Sequence, residues 1–234
     1  MLSFVFYTLA CNDVEKIVKP LGFKRNNRFF YRITEDGVVQ QFCLLCLRDS
    51  FTIRFTLNSV FGDNDITKEG SEVSSIIDGT NRWIGESFDM GNMNGMTVFY
   101  HKKLSYKESV DICTEVLNDV LLPFFEKTRD IKNAHDNMLE YDSLVKNDTK
   151  DFDTREIGFC LQEGNYEKVK EILEFYIENK KEWNIKWWAE KESEFQELYN
   201  AIINNDTEYI QEYMKTKKKR TYSQLKIRDD VKRK

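Results

Sequence analysis

Apolar residues enter the chain at steps of three and four, with Phe6, Leu9, Ala10, Val14, Ile17, Val18 and Leu21 marking one face of an amphipathic helix. Pro20 disfavours helical geometry at Lys19, and Gly22 completes the stop. Residues 28–34 then read as a strand, with Asp36-Gly37 as its turn. Residues 38–47 are apolar on both alternating faces, the pattern of a central strand covered on each side. Phe51, Ile53, Phe55 and Leu57 next alternate with Thr52, Arg54, Thr56 and Asn58, which predicts a half-buried strand with one polar face.

A polar stretch over residues 62–81 reads as a loop. Residues 83–90 and 96–101 read as a second hairpin turned at Asn94-Gly95. Ser105 with Glu108 forms a capping box opening a long helix, whose core face is Val110, Cys113, Val116, Leu117, Val120 and Leu121. Pro123 should kink or end it. Residues 156–173 align with 197–214 at an offset of 41, and both carry a helix stop followed by an N-cap, Gly164-Asn165 and Asn205-Asp206. Two helix-turn-helix repeats are the expectation, stacked in the tetratricopeptide or ankyrin manner although the spacing fits neither consensus. The predicted class is therefore α+β. An antiparallel sheet of about five strands flanked by helices covers residues 1–140, a polar linker 141–154, an all-helical region 155–220 and a basic tail 221–234.

Composition sharpens this picture in three places. Aromatic residues make up 14% of the chain, so the core should be built largely of flat rings. Five cysteines without framework spacing favour a reduced, cytoplasmic setting. Thr8-Leu9-Ala10-Cys11 bears a faint likeness to a lipoprotein signal, but the helical spacing runs straight through it and no Lys or Arg precedes Cys11. No apolar run approaches membrane-spanning length. The charge of -5 is unevenly spread: Lys215 to Lys234 contains ten Lys and Arg against Asp229 and Asp230, a local +8 that leaves -13 on residues 1–214. An acidic body makes the chain a poor nucleic-acid binder, with the basic tail as the one candidate contact.

Few residues point to chemistry. Cys43 and Cys46 resemble half a zinc site, but residues three apart on a strand face opposite ways. Gly62-Asp63-Asn64-Asp65 starts like a calcium loop and then puts Lys68 where its tight-turn glycine belongs. His101 and His135 have no orienting partner in sequence, and Cys113 sits on an apolar helix face. No cofactor or metal is called for. Trp183, Trp187 and Trp188 have the spacing of a helix core.

Three pieces in order resemble the bacterial domain of unknown function 4304: Lys19-Pro20-Leu21-Gly22-Phe23-Lys24 followed by Phe29, Tyr31 and Arg32; the strand through Arg54; and Arg82-Trp83-Ile84-Gly85-Glu86. Leu122-Pro123 after a long helix also fits, and the resemblance covers approximately residues 5–140. Phe88 and Met90 stand where that family tends to have a Trp pair. The resemblance implies a small α+β domain of bacterial cytoplasmic proteins, without established catalytic residues, some of which look like immunity proteins of toxin systems.

The reading that follows is a non-enzymatic protein-binding module of the immunity type, with Arg54, Asn58, Arg82 and Glu86 contacting a protein partner. The alternative is a small-ligand receptor or enzyme with a sheet/helix pocket near Trp83, Glu86 and His101.

Overall fold

The computed structural model describes residues 2–47, 50–64, 71–72, 98–100, 106–145, 154–180 and 185–226. The chain divides into two units: Met1–Leu57 with Asp65–Asp148, and Asn58–Asn64 with Thr149–Lys234.

In the first unit, α1 (Leu2–Val18) gives way to a 3-10 turn at Lys19–Leu21. Gly22 then closes the turn at φ 86°, donating its N–H to the Lys19 carbonyl. That left-handed geometry is one glycine adopts without steric cost, so the predicted stop falls where the sequence places it. The sheet runs β1 (Lys24–Asn26), β2 (Phe29–Ile33), β3 (Val38–Leu47), β4 (Ser50–Ser59) in spatial order. Two short strands, β5 (Ser71–Glu72) and β6 (Val98–Tyr100), pair antiparallel with β4, opposite Arg54-Phe55 and Ser50 to Thr52 respectively. β5 falls inside the stretch expected to be loop, and β6 is the part of the expected second hairpin that lies within the described residues.

Gly37, at φ 83°, turns β2 into β3, and residues 38–44 are all buried, as a central strand requires. Phe30 stacks on its register partner Phe42 with centroids 4.7 Å apart. Phe23 and Phe125 add rings 5.5 and 6.3 Å from Phe42, and Phe124 meets Phe55 edge-on at 5.2 Å. The core of this unit is thus the aromatic one the composition predicts.

The long helix continues past Pro123 by way of a π turn. α2 (Tyr106–Val116) passes through a π turn at Leu117–Leu121 into α3 (Leu122–Lys127). Leu122 N–H reaches the Leu117 carbonyl, and the wider turn lets Pro123, which lacks an N–H, sit in the first turn of α3. Cys113, Val116, Leu117 and Leu121 form the buried face as expected, while Val110 and Val120 are half-buried. α4 (Ile131–Val145) continues through Tyr141–Val145, the first part of the stretch expected to be linker.

The second unit is helical: α5 (Thr154–Glu163), α6 (Tyr166–Glu178), α7 (Ile185–Ile203) and α8 (Thr207–Gln224). The repeat holds atom by atom. Asn165 N–H donates to Cys160 O at 2.8 Å, and Asp206 N–H donates to Ala201 O at 2.8 Å. Gly164 N–H donates to Leu161 O at 3.3 Å, and Asn205 N–H donates to Ile202 O at 3.1 Å. Gly164 and Asn205 share positive φ, 73° and 51°. Asn165 and Asp206 cap the next helices, their side chains accepting from Lys168 N–H and Tyr209 N–H. Every one of these pairs is separated by the same 41 residues, the double bond pattern of a left-handed helix stop followed by an N-cap. The core between the helices includes Ile157, Cys160, Leu161, Val169, Ile172, Tyr176, Trp188, Phe195, Leu198 and Ile210. α8 extends beyond residue 220 to Gln224, so the start of the expected basic tail is helical. No helix among the described residues is long and apolar enough to cross a membrane.

Candidate functional site: the polar strand face and a buried charge cluster

On β4, Ile53, Phe55 and Leu57 are buried while Arg54 and Thr56 are half-buried, the expected alternation. Arg54 stands opposite Glu72 of β5 in the register. Asn58 continues the strand but is only 3% exposed. Its Oδ1 accepts from Ser59 N–H at 2.9 Å, and its amide donates to Asp63 O at 3.4 Å. Asn58 therefore holds the turn that follows it. Arg82, Trp83, Glu86 and His101 lie outside the described residues.

The turn leads to charges that the sequence reading did not single out. Asn58–Asn64 belongs with the helical unit. Ser59 Oγ donates to Gln162 Oε1 of α5 at 2.7 Å. The Asn64 amide donates to Thr221 Oγ1 of α8 at 2.8 Å, and that hydroxyl in turn donates to Val60 O at 2.9 Å. Between these contacts the Asp63 carboxylate accepts from Lys217 Nζ at 2.6 Å and from Lys191 Nζ. Lys217 also pairs with Glu194 at 2.5 Å, and Lys191 pairs with Glu194 at 3.3 Å. Tyr213 OH donates to Glu194 at 2.7 Å, and its ring centroid lies 5.4 Å from the Lys217 ammonium.

Two ammoniums and two carboxylates thus alternate around a seam where Lys217 is 8% exposed and Asp63 34%. Burial pushes the Asp63 carboxyl upward, but the adjacent Lys217 and Lys191 outweigh it and hold the group down at about 2. Glu194 is likewise held low against burial, chiefly by Lys217. Burial, reinforced by Glu194, drives the Tyr213 hydroxyl well above its ordinary value. The carboxylates stay ionised and the phenol neutral across the physiological range, so the cluster clamps rather than exchanges protons.

The cysteines are no more reactive. Burial, with Cys11 beside it, raises Cys113 to about 12. Burial raises Cys160 to about 12 as well, with Glu156 adding to it. Neither thiol is a nucleophile at neutral pH. Cys43 is buried against Phe29. Both Asp63 oxygens are engaged by lysines, which closes the calcium-loop reading of residues 62–65. Trp187 and Trp188 pack on Phe195, each at 6.1 Å, as core residues.

A second buried polar group lies in the first unit. Arg32, 6% exposed, donates to Gln40 Oε1 at 2.8 Å, Leu21 O at 2.8 Å and Glu126 Oε1 at 2.7 Å. Its guanidinium lies 4.6 Å from the Phe23 centroid. Gln40 passes the connection on, donating to the Thr128 carbonyl at 3.0 Å. These bonds tie β2, β3 and the end of α3 together.

Missing the Asp63 cluster in the sequence has a physical reason: Asp63 and Lys217 stand 154 residues apart. One signal was available. At the repeat offset Lys217 takes the place of Tyr176, a core residue of the first repeat, so a lysine occupies a position that should be buried. No family model, curated protein or solved structure significantly matches the chain.

Proposed function

We propose that the chain is a non-enzymatic cytoplasmic protein-binding module of the immunity type, built on a domain like the domain of unknown function 4304 and masking a basic toxin. One observation carries the reading: in both buried polar clusters, the charged groups that converge are engaged with one another. Asp63, Glu194, Lys191 and Lys217 neutralise each other, and Arg32 is held by Gln40, Leu21 and Glu126. Charges so paired are held away from acid–base chemistry, which favours recognition over catalysis. The charge of -13 on residues 1–214 suits a basic partner, steering its approach and favouring it over acidic ones. Stacked helical repeats present extended surfaces of the kind protein partners use.

Arg54, half-buried on the polar face of β4, anchors the proposed contact, and Arg82 and Glu86 are the further contact residues proposed from the sequence. Asn58 contributes by holding the turn after β4. The test is affinity capture of the tagged protein from its source cells, followed by measured binding of the captured partner to Arg54→Ala. A stoichiometric protein partner whose affinity falls about tenfold, with an unchanged melting temperature, supports the reading. A chain that captures no protein refutes it, and an unchanged affinity removes Arg54 from the contact.

A further inference from the structure

The seam between α7 and α8 is polar where the matching seam of the first repeat is apolar. Stepping back 41 residues from Tyr213 and Lys217 gives Ile172 and Tyr176, both in the apolar core. Buried ammonium is unfavourable unless paired, and apolar residues of similar size commonly stabilise such a position at least as well. The polar seam therefore calls for an explanation other than packing.

What it contacts supplies one. Each of three consecutive residues of the turn is read separately. Gly62 lies against Gly158 so closely that a Cβ on Gly158 would stand 2.7 Å from the Gly62 nitrogen. Asp63 is gripped by Lys191 and Lys217. Asn64 donates its amide to Thr221. One apolar cluster of the unit, by contrast, is assembled from residues between Ile157 and Ile210, and the turn's own apolar burial is at Val60, 2% exposed. The helices close that cluster among themselves and receive the turn through hydrogen bonds, ion pairs, one glycine contact and the buried Val60.

We propose that the α7–α8 seam is a recognition site for a Gly-Asp-Asn turn, filled in the resting chain by its own Gly62-Asp63-Asn64, and that an acidic turn of this kind on a partner protein competes for it. The internal turn acts as a tethered ligand. Its high effective concentration keeps the site occupied until a competing turn of greater intrinsic affinity displaces it. Lys191, Lys217 and Thr221 read the competitor as they read the internal turn, and Gly158, without a side chain of its own, lets the backbone of the turn's first residue approach α5. The inference goes beyond the strand-face contact: it concerns an acidic ligand and different residues.

The experiment uses a fluorescent peptide of residues 58–64, Asn-Ser-Val-Phe-Gly-Asp-Asn, titrated into the full chain and followed by anisotropy. Three chains are compared: wild type, the double variant Asp63→Ala with Asn64→Ala, and that variant carrying Lys217→Met. The double variant should bind the peptide at least about tenfold more tightly than wild type, because its internal competitor is weakened. Binding should weaken as salt rises. It should also vanish when the peptide's Asp is replaced by Ala, and when Lys217→Met is added. Hydrogen exchange on α5 to α7 should show the core intact in the double variant. Absence of saturable binding to that variant overturns the proposal, as does equal binding of the Ala peptide. Loss of core protection in the double variant also overturns it, since the core must close without the turn.

Discussion

Replacing Gly158 by alanine sets two opposed effects of known size against each other. Gly158 lies within α5, where alanine is ordinarily favoured over glycine by about 1 kcal/mol. The Cβ it would add meets Gly62 N at 2.7 Å, Gly62 Cα at 2.9 Å and Ser59 Cβ at 3.2 Å. Comfortable carbon contacts begin near ~3.5 Å, and two of these neighbours are backbone atoms that no rotamer change can move. The turn must therefore retreat as a body, by roughly 1 Å. That retreat stretches the Asn64–Thr221 and Thr221–Val60 hydrogen bonds, now 2.8 and 2.9 Å, each contributing about 1 kcal/mol. Overpacking of a well-filled site costs ~1–3 kcal/mol in its own right. Subtracting the helix gain leaves Gly158→Ala less stable than wild type by about 1–3 kcal/mol.

Urea denaturation followed by far-UV circular dichroism measures the total, and hydrogen exchange localises it to α5 and α8. The decisive comparison is the same substitution in the Asp63→Ala, Asn64→Ala background, where the turn is already loosened. There the clash is relieved by movement without loss, and alanine should stabilise by ~0.5–1 kcal/mol, so the sign reverses. Gly164→Ala supplies the control. It has no neighbour within 4 Å but a φ of 73°, so it should cost about 1 kcal/mol equally in both backgrounds. A stabilising Gly158→Ala in the wild-type chain would refute the close approach, and an unchanged sign across backgrounds would refute its link to the turn.

Three further outcomes can be checked with purified protein. Asn165→Ala and Asp206→Ala should each cost about 1 kcal/mol in denaturation, and by similar amounts, because they cap α6 and α8 through the same bond; a marked inequality would argue against the equivalence of the repeats. Asp63, held at about 2 against an ordinary 3.8, contributes stability that is complete above pH 4 and is lost as pH falls through 2. At about 1.36 kcal/mol per unit the shift amounts to ~2.4 kcal/mol, reduced to ~1–2 by solvent screening of a one-third exposed carboxylate, and Asp63→Asn should flatten that acid limb in a pH series of melting curves. Cys113 and Cys160, both raised to about 12, should resist iodoacetamide at pH 7 until the chain unfolds; rapid stoichiometric alkylation of either, read by mass spectrometry, would contradict their burial.

What the sequence made legible was local. Gly22 and Gly37 punctuate because left-handed φ is sterically cheap for glycine alone. The β4 alternation survives because one face of a sheet is buried and the other is not. The repeat was legible because its helix stop and N-cap are written in side-chain chemistry, Gly or Asn followed by Asn or Asp. The misses are non-local or permissive. β1 is three polar residues without alternation, held as a strand by its ladder to β2. Pro123 was expected to kink or end the helix, and which of these follows was not legible: the π turn before it carries the helix onward. Tyr141–Val145 is polar enough to read as linker and is helical all the same. The Asp63 seam joins residues from opposite ends of the chain, and no window on the sequence spans them.

Several residues of the segment from Leu21 to Arg32 have packing roles in the first unit. Gly22 closes the first helix at positive φ. Phe23 packs between Phe42 and Phe125 at 5.5 and 5.7 Å. Arg32 lies over Phe23 and binds the Leu21 carbonyl and Glu126, joining the end of the first helix to α3. A buried guanidinium is tolerated only when its donors are met, and here three different acceptors meet them. Leu21, Gly22, Phe23 and Arg32 are therefore one packing unit: removing Arg32 would take a donor from Leu21 O and leave Gln40 Oε1 without it in the buried interior. A packing unit of this kind fixes a fold without choosing a partner. The proposed contacts therefore lie outside that unit, on the polar face through Arg54 and in the helical repeats, where Lys217 stands at the position matching the core residue Tyr176.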